Sequence, residues 1–260
     1  IAIVETAPVA KLQQMLAYGA QLVRVKGFGV DSQVTTRVME SLKQRADTPP
    51  TALQISAFRY SPEGMSGVQT ISYELAEQLK RGIDHVFCPA GGGGLTLAVA
   101  RGFTWLADRK AISHSPSVHC VQPEGNDTIA GPLRSGENRA RVVQCTSQIR
   151  GLQVPNVIDG DEVISACRAS GGTGHVVSDE QVWQAQRRLA REEGIFCEPA
   201  GATALAGILQ AAQAREVKEQ DSVVCLVTGS GFKDAPSLER LVGSQGCPSV
   251  SVEELEKWLF

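Results

Sequence analysis

Four consecutive glycines, Gly91 to Gly94, sit inside the stretch HVFCPAGGGGLTLAVARGF, which runs from His85 to Phe103. An apolar run precedes them and a helix-like pattern follows. Each glycine in a helix or strand costs roughly 0.5–1 kcal/mol relative to alanine, so the run asks for a physical reason. Without Cβ atoms, successive backbone N–H groups can converge on one point. The positive end of the following helix adds to them. The chemistry on offer is the grip of a phosphate or another small anion.

Three phosphate ligands compete for that loop. A nucleoside triphosphate wants GxxxxGK[ST], and no Lys-Ser or Lys-Thr follows these glycines. A dinucleotide wants GxGxxG with an acid about 20 residues on. GGGGLT contains a GxG but no third glycine in place, and Asp108 falls before the next strand rather than at its end. A small cofactor with one terminal phosphate, held by main chain alone, fits better. The competing structural account is a loop that is merely glycine-rich.

The other reactive residues point nowhere in particular. Seven cysteines stand at positions 88, 120, 145, 167, 197, 225 and 247, with no CxxC and no histidine at metal-ligand spacing. Cys88, Cys120, Cys197 and Cys225 lie in or beside apolar runs, where the thiol behaves as a small hydrophobe. No metal site is expected. The odd, scattered count fits reduced thiols and a cytoplasmic location.

The loop must be positioned by alternating β and α patterns. IAIVE and AQLVRVKG read as strands, with the helix VAKLQQMLAYGA between them. SQVTTRVMESLKQR is a helix capped by Asp31 or Ser32, and a strand is expected near Leu53–Ser56. SGVQTISYELAEQLKRG reads as one helix, with Ser66 and Gln69 as a capping box and Gly82 as its stop. HVFCPA, SVHCVQP and SVVCLVTGSG read as strands, and LTLAVARGFTWL and GATALAGILQAAQA as helices. SDEQVWQAQRRLAREEG is a helix with Ser178 and Gln181 as a second capping box and Gly194 as its stop. Residues 131–160 read as polar and irregular, and SVEELEKWLF as a last short helix. VVCLV is apolar on both faces, the mark of a parallel sheet covered on each side. The expected fold class is α/β, doubly wound, with the glycines at the carboxyl edge of the sheet, where such folds bind ligands.

Composition removes whole classes. Of 260 residues, 42% are hydrophobic and 20% charged, which sustains a core and excludes disorder. A net charge of -3 leaves no basic stripe for nucleic acid. No apolar run nears the roughly 20 residues that span a bilayer. The chain opens at Ile1 in what reads as mid-strand, so it is expected to be part of a longer polypeptide.

Five stretches, taken in order, resemble the pyridoxal-phosphate enzymes of the tryptophan-synthase β-subunit fold (fold type II), threonine synthases above all. They are APVAKLQQMLAYGAQLVRVKG, PEGMSGVQTISYELAEQL, CPAGGGGLTLAVARGF, SDEQVWQAQRRLAREEGIFCEPAGATALAGI and VTGSGFKD, and together they cover nearly the whole chain. The resemblance implies a mostly parallel sheet in two lobes, N-terminally incomplete. Residues 1–62 would be the remainder of the smaller domain and 63–260 the larger, cofactor-binding one. The cofactor it implies is pyridoxal 5'-phosphate. Gly91, Gly92, Gly93 and Gly94, with the backbone of Leu95, would cradle its phosphate, and Thr228 would face the ring nitrogen. Ser230, two residues on, is the alternative to Thr228, and Glu198 would stand in the pocket wall.

The implied reaction is β- or γ-elimination or replacement on a hydroxy- or phospho-amino acid. A neutral hydroxyl beside the ring nitrogen does not hold it protonated, which makes the ring a weaker electron sink than a carboxylate would. In this family the Schiff-base lysine lies in a stretch upstream of the segment matching Ile1. Lys11, Lys26, Lys43, Lys80 and Lys110 lack matching flanks, and Lys233 belongs to a motif with another role. The catalytic lysine is therefore expected outside this chain, which would not turn over substrate alone. Where threonine synthases carry NPYRLEGQKT, Tyr60, Glu63 and Gly64 align, while Phe58 and Ser61 replace an asparagine and an arginine and Arg59 lies two positions earlier. The implied partners are a small amino-acid substrate and a second copy in a homodimer, with neither nucleic acid nor membrane. Two other readings stay open: a non-catalytic binding module on this fold, and a nucleotide-binding oxidoreductase.

Overall fold

The alternating pattern folds into two parallel sheets. A computed structural model describes residues 1–7, 9–244 and 246–259. The chain opens with β1 (Ala2–Ile3), α1 (Val9–Ala17), β2 (Val23–Arg24) and α2 (Ser32–Ala46), and β1 pairs with β2 in parallel. The Asp31 side chain accepts from the Val34 amide and starts α2, as the sequence implies. Next come α3 (Pro62–Val68), α4 (Thr70–Gln78), β3 (His85–Pro89), α5 (Gly94–Asp108) and β4 (Ser117–Pro123). The remainder is α6 (Ala130–Ser135), α7 (Gly160–Ala169), β5 (Gly174–Val177), α8 (Asp179–Glu192), α9 (Pro199–Gln213), β6 (Val223–Cys225), α10 (Ala235–Val242) and α11 (Val252–Leu259). Phe260, the end of the run read as the last helix, lies outside the described residues.

The larger sheet has the order β5-β4-β3-β6, and every pair in it is parallel. Its strands alternate across two apolar layers. Val86, Cys88, Val118 and Cys120 face one core with Leu97, Val99 and Phe103 of α5 and Val163 and Ile164 of α7. Phe87, Val121 and Val177 face the other, with Val182, Ala185 and Leu189 of α8 and the alanines of α9. Burial on both faces explains why apolar residues fall on both sides of these strands. The fold is α/β, with helices on both sides of a parallel sheet.

Several sequence expectations need correction. Leu53–Ser56 is not a strand, because no neighbouring strand supplies its ladder. The helix read from Ser66 is two helices. Pro62 opens α3 at its first turn, where a missing N–H costs nothing. The Ser66 hydroxyl donates back to the Glu63 carbonyl at 2.6 Å instead of capping. The chain leaves α4 at Leu79, ahead of Gly82. The polar stretch 131–160 contains most of α6 and a 3-10 turn, Arg150–Leu152. Cys167, absent from the expected buried set, is wholly buried on α7, whereas Cys225 is half-buried.

One polar row crosses the second core. His85, His119 and His175 sit on β3, β4 and β5, and the Phe87 ring stacks on His119 with centroids 4.3 Å apart. The Thr173 amide donates to His119 Nδ1 at 3.3 Å, so that nitrogen is the acceptor. His119 must then carry its proton on Nε2, 3.0 Å from His85 Nδ1. His85 in turn presents Nε2–H to the Asp221 carboxylate at 3.4 Å. His175 Nε2 donates to the same His119 Nδ1 at 3.3 Å. The row has one direction of donation, from His175 through His119 and His85 toward Asp221.

Candidate cofactor site

The glycine run lies where β3 ends and α5 begins. Gly93 takes the left-handed region at φ 83 and caps α5 with no side-chain bond. Among the described residues, none accepts from the amides of Gly91, Gly92, Gly93, Gly94 or Leu95. Five consecutive donors at the positive end of a 15-residue helix are left for a ligand or water.

Packing explains most of the glycines. A Cβ on Gly93 would lie 2.7 Å from Ile129 Cδ1 and 2.7 Å from Val163 Cγ2, and one on Gly94 would lie 2.8 Å from the Ser56 carbonyl. A Cβ on Gly91 would meet Val154 Cγ2 at 3.1 Å. Gly92 differs, since its nearest neighbour would be Val154 Cγ1 at 3.9 Å. The protein's own atoms leave room there for a methyl group.

These residues form the floor of a cavity of about 380 Å³. One wall is Ile55, Ser56 and Ala57, and the other is Gly151, Val154, Asn156 and Ile158. Buried amides brace it. Gln122 Nε2 donates to the Gly91 carbonyl at 3.1 Å and to Thr128 Oγ1 at 2.9 Å. Gln122 Oε1 accepts from the amides of Ile129 and Ala130 at 2.7 and 2.8 Å. Asn126 donates to the Leu152 carbonyl and accepts from the Val154 amide at 3.1 Å, which hangs the second wall over the glycines.

A family model described as pyridoxal-phosphate dependent enzyme matches residues 1–229. This chain belongs to that family. The pyridoxal-phosphate family's cofactor ends in a single phosphate, which the five free donors and the open space at Gly92 fit. Among curated relatives, threonine synthase from Methanocaldococcus jannaschii is 30% identical over 86% of this chain and 54% of its own length. Threonine synthase from Synechocystis is 30% identical over 90% of this chain and 57% of its own. The chain thus spans less than two thirds of these relatives. Among solved structures, the processed form of threonine deaminase isoform 2 from Solanum lycopersicum superposes with a TM-score of 0.70 at 22% identity, covering 94% of this chain and 66% of that one. An L-serine ammonia-lyase from Rhizomucor miehei superposes with a TM-score of 0.71 at 20% identity, covering 94% and 73%. At such identities the likeness is one of fold.

The sequence-derived site residues fall into two groups. Gly91 to Leu95 line the cavity. Thr228, Glu198 and Ser230 do not; they gather one strand over, beyond the end of β6. Phe87 pairs with Cys225, so both groups lie past the carboxyl ends of neighbouring parallel strands. The Glu198 amide donates to the Gly229 carbonyl at 3.1 Å, and Cys197 bridges to Ser230. Glu198 is 9% exposed and opens α9. Gly201 has no side chain because the Thr228 carbonyl would lie 1.7 Å from its Cβ. This contact seats Thr228 against the first turn of α9. Thr228 is half-buried and Ser230 exposed.

Thiol chemistry is closed off beside this second group. Burial first, with the Glu198 charge adding, pushes the Cys197 thiol up to about 11, so it stays protonated and inert at neutral pH. Among the described residues, no lysine lines the cavity. Gln122, Asn126 and the wall 151–158 escape sequence reading, since a lone buried amide carries no motif.

Proposed function

We propose that this chain holds the cofactor of a pyridoxal-phosphate lyase or synthase that performs β- or γ-elimination or replacement on a hydroxy- or phospho-amino acid. The observation that carries this reading is the 30% identity to threonine synthase over 86% of the chain, which includes the glycine loop. Bound pyridoxal phosphate supplies the electron sink that such reactions need. The residues of this chain bind and orient it. The amides of Gly91–Leu95 take the phosphate, each charge-assisted bond contributing about 1.5–3 kcal/mol. The hydroxyl of Thr228, or of Ser230 in its place, faces the ring nitrogen without protonating it. Ile55, Val154 and Ile158 exclude water, and Glu198 backs the loop that carries Thr228. In the cell the working form is a cytoplasmic homodimer.

A second reading, a binding module without turnover, draws on the absence of lysine from the described cavity lining. One set of assays separates the two. The chain is titrated with pyridoxal phosphate, and borohydride trapping with peptide mapping locates any lysine adduct. Turnover of serine, threonine, O-acetylserine and O-phosphohomoserine is measured on the chain and on the longest natural polypeptide that carries it. The proposal expects cofactor binding without a lysine adduct in the chain, and turnover in the longer polypeptide. Binding without turnover in either would favour the second reading. A lysine adduct and turnover in the chain itself would overturn the division of roles.

A further inference from the structure

We infer that Asp159 is a positioning residue, a clasp that joins the two walls of the glycine-loop cavity and fixes its width. The inference rests on the reading of that cavity as the phosphate site. The Asp159 carboxylate accepts from the Phe58 amide at 2.6 Å through Oδ2 and from the Arg59 amide at 3.2 Å through Oδ1. The partners stand 101 and 100 residues apart in the chain. Asp159 is 4% exposed, so these two bonds are shielded from water.

What the bonds connect gives them their meaning. Ile55, Ser56 and Ala57, immediately before the held amides, form one wall. Asn156 and Ile158, immediately before Asp159, belong to the other. The first wall lies in no helix or strand, and its short-range backbone bonds run only within residues 55–61. No sheet ladder holds it to the body. The Arg101 guanidinium covers the Phe58 ring at 4.3 Å, a contact of side chains that leaves the backbone amide to Asp159.

Asp159 also reaches the floor. Its carbonyl accepts from the Val163 amide at 3.0 Å as α7 begins, and Val163 is the side chain that closes over Gly93. The Ser56 carbonyl of the clasped wall closes over Gly94. One buried carboxylate therefore sets where both walls stand relative to the glycine amides. Asp159 is not among the residues that line the cavity. Releasing it would leave two wall amides unsatisfied and let the segment drift by more than a hydrogen bond tolerates.

The test is amide hydrogen exchange on the 260-residue chain and its Asp159→Ala and Asp159→Asn variants, paired with titration by pyridoxal phosphate. In D159A, exchange across residues 55–59 and 154–158 should rise at least tenfold while β3, α8 and α9 keep their protection. The cofactor dissociation constant should weaken about tenfold. The carboxamide of D159N retains one acceptor oxygen, so that variant should hold one of the two amides and recover part of the affinity. If D159A does not fold, D159N carries the test through the Phe58 and Arg59 amides. An even rise in exchange over the whole chain would overturn the clasp, as would unchanged exchange at 55–59. Opened walls with unaltered affinity would overturn it too. Failure of the unaltered chain to bind the cofactor would instead strike the phosphate reading, leaving exchange to decide on the clasp.

Discussion

The side-chain amide of Gln122 holds the carbonyl of Gly91 at 3.1 Å from a position fully shielded from water. Gln122 lies on β4 and Gly91 just past β3, so the bond ties the start of the glycine loop to the neighbouring strand. The other end of the same side chain takes the amides of Ile129 and Ala130, the second of which begins α6. The loop is thus fixed by a residue that never enters the cavity.

Replacing Gln122 with alanine removes four hydrogen bonds at once. Each buried partner left unsatisfied costs about 1–3 kcal/mol. Urea unfolding of Gln122→Ala should show a loss of about 3 kcal/mol or more. A loss below about 1 kcal/mol would show that the loop does not depend on this brace.

Gly92 and Gly93 should separate stability from binding. Gly93→Ala places a methyl 2.7 Å from two side chains at a positive φ, so it should lower stability by about 2 kcal/mol or more. Gly92→Ala meets nothing closer than 3.9 Å, so the melting temperature should stay within about 2 °C. The same methyl would occupy the space that the phosphate needs, and pyridoxal phosphate affinity should fall at least tenfold. Calorimetry and fluorescence titration of the two variants check both statements.

The imidazole row predicts acid sensitivity with a defined sign. Burial lowers the His119 pKa from 6.5 to about 3, with His175 and then His85 adding, and Arg134 opposing protonation while Glu216 favours it. Burial likewise lowers His175 to about 4, with Glu216 and Gln210 acting the other way and Arg134 adding. Asp221 faces the outer member, His85. The unfolded chain binds these protons near pH 6.5 and the folded chain does not. Stability from both groups is therefore full above about pH 7 and falls as pH drops from about 6.5 toward about 4. The slope is at most about 1.4 kcal/mol per pH unit for each imidazole. Melting curves from about pH 8 to about pH 4 should show the decline, and His119→Phe should flatten it. A flat curve for the unaltered chain would show that His119 and His175 are not held neutral.

Much of the fold was legible because its signals are local. Ser117–Pro123 reads as a strand and becomes one over that same span. Ser178 and Gln181 form the reciprocal cap that their spacing announces, at 3.2 and 2.8 Å. The strand β5 was hidden because its pairing needs a residue that disfavours strands. Gly174 pairs with Cys120, and a Cβ there would sit 1.9 Å from the Ala130 carbonyl. The helix α7 escaped in turn, since Asp159 before it makes no side-chain cap bond and no Ser or Thr holds that position to start a capping box.

The site divides along the same line. The glycine loop is a contiguous motif, so its place at the strand-to-helix junction could be read directly. Thr228 and Glu198 emerged only through likeness to a family, and they stand outside the cavity lining. Gln122, Asn126 and Asp159 act across 31, 28 and 101 residues of chain. Nothing in their local sequence marks such contacts.

The claim beneath this account is that the main-chain amides of residues 91–95 grip one phosphate. Nitrogen-15 amide spectra of the chain, titrated first with inorganic phosphate and then with pyridoxal phosphate, test it most directly. The account predicts that both ligands move the Gly91–Leu95 amide resonances first and furthest, downfield as charge-assisted bonds form. Saturable shifts centred on any other part of the chain, with these five amides unmoved, would contradict it.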